Sequence, residues 1–360
     1  MKEHQSISIS LCMIVKDEEA VIKNCLSSIQ EIVDEIIVVD TGSSDETKKI
    51  IAEFTDFIYD FQWTNDFSAA RNFAFSKAKK DYILWLDADD IITEENKIKL
   101  LTLKQTLDPN IDAVSMNYHL AFDENGNPSF ISRRNRLVKR KMNFKWFGFV
   151  HEFLEVYGNV INSDIAITHK NFKKSNDRNL RIYEELLRNG KSFSPRDQYY
   201  YANECKDHCM YEQAIEWYQK FLDGREGWLE DNIEACGRMA DCYIYLKDWS
   251  NAIDSCINSF RYHAPRGEIC CRLGFIYLQQ NCIEKAISWY KLATEIEIPN
   301  TSPFVNKPCY TWLPHLQLCL CYSKLSKFHE AKKHNSLAAS FVPDNPHVKH
   351  NENFLHSVLQ

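Results

Sequence analysis

Three short runs constrain this chain more than anything else in it: ISISLCMIV at residues 7–15, EIIVVD at 35–40 and DYILWLD at 81–87. Each is almost wholly apolar and each runs straight into acids. A strand that is apolar on both sides has no face for water, so it belongs in a sheet covered on both faces. Helical patterns lie between the runs. In EEAVIKNCLSSIQE, residues Ala20, Ile22, Cys25, Leu26 and Ile29 share one side. DETKKIIAEF is a second helix, DFIYDF a strand, and DFSAARNFAFSKAK a third helix capped by Asn65 or Asp66. Strands and helices in alternation predict a doubly wound, mostly parallel α/β sheet. Such sheets bind ligands beyond the carboxyl ends of their strands. The acids at 16–19, at 40–45 and at 87–90 therefore share one edge.

Asp87, Asp89 and Asp90 stand within four positions and repel one another at neutral pH. Carboxylate oxygens suit a hard divalent cation such as Mn²⁺ or Mg²⁺, which would relieve that repulsion. A plainer role is capping of the next helix by Asp90 or Thr93, but capping explains one acid and not three. In VVDTGSSDET, Gly42 and the serines permit a tight turn and residues 44–47 can cap a helix. Asp40 remains as an acceptor for a base or sugar hydroxyl. Neither G-x-G-x-x-G nor a P-loop pattern occurs. The run SRRNRLVKRKMNFKW holds seven Lys or Arg between Arg133 and Lys145. It reads as a solvated loop or hairpin, or as a clamp for phosphate or an acidic acceptor.

Beyond about residue 175 the strand signals stop. Ala202 and Ala214, Ala240 and Ala252, Gly274 and Ala286, and Cys319 and Ala331 are each twelve apart. A small residue is needed where two paired helices cross closely, so the fixed interval has a steric cause. Ala252 to Ala286 is 34 residues, the tetratricopeptide period. The other spacings, 38 and 45, imply longer linkers. The expected division is 1–174 for the sheet domain and 175–360 for four helical repeats, which form a concave protein- or peptide-binding surface or a dimer interface.

The net charge of −7 argues against general affinity for nucleic acid. No run of 18 apolar residues predicts a membrane-spanning helix, and the N-terminus does not read as a signal peptide. The thirteen cysteines mostly sit in apolar helical contexts. Cys205 and Cys209, with His208 between them, make only half a zinc pattern. Reduced core thiols and a cytoplasmic location are expected.

SLCMIVKDEE, EIIVVDTGSSDET, W-T-NDFSAARNFA and DYILWLDADD, in this order and spacing, resemble the nucleotide-sugar-binding domain of glycosyltransferase family 2 over about residues 7–172. The resemblance implies the GT-A fold, a UDP-sugar donor, a "DxD" metal motif binding Mn²⁺ or Mg²⁺, and transfer with inversion. It implies that Asp17, Glu18 and Glu19 border the nucleoside, that Asp40 reads the uracil ring beside Ser43, and that Arg71 belongs to the nucleotide pocket. It further implies that Asp87, with Ala88, lies near the ribose and that Asp89 holds the metal. GFVHEFLE and IAITHKNF look like the His-Glu segment and late histidine of this branch. They make Glu152 the general base and His169 a second metal ligand, although many members carry "ED" where this chain has "HE". A helical-repeat tail on such a domain is similar to the sublancin-type peptide S-glycosyltransferases. That likeness implies a peptide acceptor and repeats that support a homodimer. Transfer to a cell-surface or lipid-linked glycan is an alternative. A non-catalytic peptide-binding scaffold is another, against which the intact "DAD" and "HE" count.

Overall fold

The computed structural model describes residues 6–122, 128–170, 177–299 and 305–360. The chain divides into two compact units, Met1–Ser192 and Phe193–Gln360. The boundary expected between 174 and 175 lies outside the described residues.

In the first unit, β1 (Ile9–Val15), β2 (Glu35–Asp40), β3 (Ile58–Asp60) and β4 (Tyr82–Trp85) alternate with helices α1 (Ile22–Ile29), α2 (Thr47–Ile51) and α3 (Phe67–Lys77). β1 pairs in parallel with both β2 and β4, and β2 with β3. The remaining elements are β5 (Asp90–Ile91), α4 (Glu94–Thr106), β6 (Ala113–Phe122), β7 (Pro128–Lys139), β8 (Trp146–Phe147), β9 (Phe153–Leu154), β10 (Val160–His169) and α5 (Arg178–Arg188). The sheet order is β3-β2-β1-β4-β7-β6-β10-β5. Every residue of β2 and β4 is buried, because helices cover both faces. Ile22, Cys25, Leu26 and Ile29 bury one face of α1, while Ala20 falls outside the helix and is exposed. Asp66 caps α3 by accepting from the Ala69 amide at 2.9 Å.

One expectation is corrected and another is narrowed. Asp90 does not begin the next helix. It lies in β5 with 0% exposure, and α4 starts at Glu94 behind Thr93. The basic run is not a solvated loop: most of it is β7, antiparallel to both β6 and β4. It is the second strand of a hairpin, and Arg136 within it is fully buried.

The second unit is helical: α6 (Pro195–Asp207), α7 (Tyr211–Gly224), α8 (Leu229–Tyr245), α9 (Trp249–Asn258), α10 (Gly267–Gln279), α11 (Ile283–Glu295), α12 (Trp312–Lys324), α13 (Phe328–Phe341) and α14 (Pro346–Val358). The four small-residue pairs fall one on each member of α6/α7, α8/α9, α10/α11 and α12/α13, all buried. At Gly274 the steric cause is direct, because a Cβ there would meet the Tyr290 ring at 2.7 Å. Cys209, Lys247, Asn281 and Ser326 turn each pair with φ of 57–60°. At each turn the next residue's amide reaches back five residues, as from Asp248 to the Tyr243 carbonyl at 2.9 Å. This is the Schellman closure of a helix end, made here without glycine. All thirteen cysteines are free, and Cys205 is buried while Cys209 is exposed at its turn.

Candidate active site

β4 ends at Trp85, and the chain then turns back on itself. The Asp87 amide donates to Asp90 Oδ2 at 3.0 Å, and the Asp90 amide to the Asp87 carbonyl at 3.1 Å. β5 pairs with the end of β10 in a register that sets His169 opposite Asp90. Oxygens of Asp89 and Asp90 and a ring nitrogen of His169 consequently lie within 4.8 Å of one another. Two carboxylates and an imidazole form a donor set suited to Mn²⁺ or Mg²⁺.

The repulsion among the three acids is largely answered from within the protein. The Arg136 guanidinium lies 3.0 Å from Asp90 Oδ2 and donates to the Trp85 carbonyl at 3.2 Å. Its Nε and Nη2 have no partner among the described residues. The Trp85 and Tyr118 rings lie 3.9 and 4.4 Å from it. Arg71 donates from Nη2 to Asp87 at 2.7 Å and from Nε to Glu152 at 2.6 Å. The Trp85 and Trp146 rings flank it at 5.0 and 4.7 Å. The expectation that a cation relieves all three acids is therefore corrected: Asp87 and Asp90 have arginine partners, and Asp89 is left with His169.

Burial would raise the Asp87 carboxyl, but Arg71 and Arg136 outweigh it and hold the group below the usual carboxylate range. The Tyr118 hydroxyl donates to Asp90 at 2.9 Å and so accepts from His169 Nδ1, also at 2.9 Å. Bonding to Asp89 and Asp90 pushes the His169 imidazole up to about 10, where it holds a proton that a cation at Asp89 would displace. Asp90 thus takes bonds from a backbone amide, a guanidinium and a phenol. It anchors the turn and, through Tyr118, the histidine.

The remaining residues gather at the ends of β1 and β2. Asp40 is 2% exposed, and its Oδ2 accepts from the Gly42 and Ser43 amides at 3.0 Å each. Its Oδ1 is buried without a partner among the described residues. Asp17 accepts from the Ser44 amide at 2.7 Å, and its own amide donates to the Ser43 hydroxyl at 3.0 Å. The Glu18 amide donates to the Thr47 hydroxyl, and Glu19 accepts from the Glu46 amide. These side chains and amides lace the first loop to the second. The Ala88 methyl is packed into the core. Sequence reasoning missed Arg136, Tyr118 and Trp85. The available signal was an arginine directly before the apolar pair Leu137-Val138 in a strand.

Residues 10–162 match the family model described as glycosyl transferase family 2, and residues 267–297 match a tetratricopeptide repeat. Residues 10–162 are a family 2 glycosyltransferase domain. The chain is 31% identical over 243 residues to the SPbeta prophage-derived glycosyltransferase SunS of Bacillus subtilis, covering 61% of this chain and 56% of that one. It is 50% identical over 82 residues to a TPR repeat-containing protein of Synechococcus elongatus, covering 23% of this chain and 20% of that one. The chain thus spans only about half, or a fifth, of these relatives' lengths. Among solved structures, glucosyl-3-phosphoglycerate synthase from Mycobacterium tuberculosis, in complex with Mn²⁺ and UDP-glucose, is similar over 52% of this chain and 81% of that one. The identity there is 16% and the TM-score 0.36. No helix among the described residues is long and apolar enough to cross a membrane.

Proposed function

We propose that the chain is a metal-dependent, inverting glycosyltransferase that moves a sugar from a UDP-sugar to a peptide or protein side chain. The observation that carries this reading is the convergence of Asp87, Asp89, His169 and the Arg71–Glu152 pair beyond the end of β4. Glu152 keeps Oε1 on Arg71 and takes the acceptor's hydroxyl or thiol proton on Oε2. The freed electron pair forms the bond to the anomeric carbon from the face opposite the diphosphate. The bond from that carbon to the diphosphate oxygen breaks, and UDP leaves with its electrons, so the configuration inverts. A Mn²⁺ or Mg²⁺ ion held by Asp89 and His169 would neutralise charge on the departing diphosphate.

Asp87, fixed by Arg71, would accept from a ribose hydroxyl. Asp40 Oδ1 would accept from the uracil N–H, which supplies the partner it lacks. Asp17, Glu18, Glu19 and Ser43 would keep the loops beside the nucleoside in place. In this division of labour, residues 1–174 carry the chemistry. The repeats of 175–360 would hold the peptide acceptor or a second copy of the chain. The relationship to the glycosyltransferase SunS supports sugar transfer, and the helical-repeat tail, as in the sublancin-type resemblance, supports a peptide acceptor.

UDP release from a panel of UDP-sugars, with and without Mn²⁺, tests the reading. At least one donor should be hydrolysed in a Mn²⁺-dependent way, and Asp89→Asn should abolish that. No turnover and no UDP binding with any donor would favour the non-catalytic scaffold. Near-normal turnover by Glu152→Gln would remove Glu152 as the base.

A further inference from the structure

β7 is 12 residues long and β4 only 4. β4 pairs with Leu137, Val138 and Lys139, and after Trp85 the chain turns away toward β5. From Asn135 onward β7 therefore has a neighbour on one side alone. That neighbour is β6, against which Ile131–Asn135 run in unbroken register with His119–Ser115. Among the described residues no other backbone group bonds to this stretch. The Trp85 indole N–H donates to the Asn135 carbonyl at 2.7 Å, so that carbonyl points to the open side. Backbone groups alternate along a strand, so the amides and carbonyls of Arg133 and Ile131 point there too. The Arg133 carbonyl is met by the guanidinium of the next residue, Arg134, in an exposed bond of 3.2 Å. The Arg133 side chain does not stand across the edge. It is turned onto β6 and β10, where it bonds Asn117 and the Ser115 and Ser163 carbonyls.

A row of strand-edge amides and carbonyls is matched by one kind of partner, another extended backbone. Position says whose. β4 and β6 are both antiparallel to β7, and β10 is parallel to β6. The β6–β7 hairpin therefore rises from the sheet edge at which β4 and β10 end, the edge of Asp89 and His169. At the foot of the open stretch, the Trp85 ring lies against Arg71, which holds Glu152 at 2.6 Å. A strand laid along β7 thus leads to the carboxylate assigned the acceptor's proton. At the other end Ile131 is 50% exposed and offers an apolar contact to an alternate side chain of the same strand. We infer that Ile131–Asn135 take the acceptor as an added β-strand, an extended peptide segment with its reactive hydroxyl or thiol at the Trp85 end. The inference rests on the peptide-acceptor reading above and names the surface that would hold the segment.

The probe is a library of short synthetic peptides, each with one cysteine and one serine. It is incubated with the full chain, Mn²⁺ and the UDP-sugar panel, and products are read by mass gain. In a peptide that gains sugar, N-methylation of every second backbone amide should raise KM roughly tenfold, and methylation between those positions should not. A run of sensitive neighbours, or no sensitive amide, overturns the inference, because a helical or side-chain-held acceptor gives no alternation. Ile131→Pro removes one edge amide and no bond to β6. It should raise peptide KM roughly tenfold and leave peptide-free hydrolysis of the donor as it was. An unchanged peptide KM in that variant overturns the placement on β7. Ile131→Ala keeps the amide and should move KM less, and an equal rise would reduce the contact to apolar packing and overturn the ladder. Donor hydrolysis with no peptide modified overturns the inference and leaves sugar transfer standing. No turnover of any donor would sink the glycosyltransferase reading on which it rests.

Discussion

In the helical unit, Arg266 meets Glu230 through two bonds of 2.7 and 2.8 Å, and Arg272 meets Asp241 through two of 2.7 and 3.1 Å. Each guanidinium makes a two-point contact with one carboxylate, and the pairs tie α8 to the N-cap and to the body of α10. In the sheet unit the arrangement is open. Arg71 divides its fork between Asp87 and Glu152, and Arg136 touches Asp90 through one nitrogen while two others go unpaired. A bidentate pair satisfies both partners and serves to lock two helices. A divided or half-used pair leaves acceptor oxygens available and holds them at set positions. Buried charge is structural in one unit and preparatory in the other.

The sharpest way to break this contrast is to remove Arg136. Arg136→Met would leave Asp90 charged and buried, at a cost of about 3–5 kcal/mol in chemical denaturation. Adding Asp90→Asn should recover part of that loss, and failure to recover any would mean the cost is lost packing alone. Next in size is Arg71→Lys. It keeps the charge and loses the fork, so turnover should fall roughly 10²-fold while the melting temperature changes little. Arg272→Lys should show the reverse, a lower melting temperature with unaltered turnover. If Arg71→Lys proved mainly a stability variant, the contrast would collapse.

The repeat reading rested on local sterics, which is why it was legible. A twelve-residue interval between small residues needs no knowledge of distant contacts. Gly274→Ala tests it, since the added methyl meets the Tyr290 ring, and about 1–3 kcal/mol should be lost. The turns between paired helices were not legible. Their left-handed positions hold Cys, Lys, Asn and Ser where glycine would have been the signal. At the site, Asp87 and Asp89 stood out as acids following an apolar strand, whereas His169 was singled out only through the family resemblance. Arg136 could not. It stands in a basic run with six other cations, and its partner opens β5, just past the turn after β4, a strand that only the fold makes its neighbour. The carboxylates were visible in the chain, and their counter-charges were visible only in the sheet.

A smaller effect separates the units by pH. His334 lies against His315, their Nδ1 atoms 3.1 Å apart, and stacks on Tyr322. Burial, then the neighbouring His315, Lys333 and Lys291, pushes it down to about 4. Between the ordinary histidine range and that value the unfolded chain binds a proton that the folded imidazole refuses. Stability from this group is thus intact above the ordinary range and falls as pH drops toward 4. Urea midpoints at neutral and acid pH should converge in His334→Gln relative to the wild type. The smallest change is a gain. Lys247→Gly and Ser326→Gly relieve a left-handed backbone and should each add roughly 0.5–1 kcal/mol. A loss there would show that the side chains themselves hold the turns.

The left-handed residue precedes the second small residue by five positions in all four helix pairs, whereas successive pairs are offset by 38, 34 and 45 residues. Length varies only between hairpins and never inside one. The hairpin is therefore the unit in which this half of the chain can be edited. Duplicating or deleting a whole pair changes one interface and leaves every remaining crossing as it was. A lineage could lengthen or shorten its binding surface in this way while the sheet unit kept its chemistry.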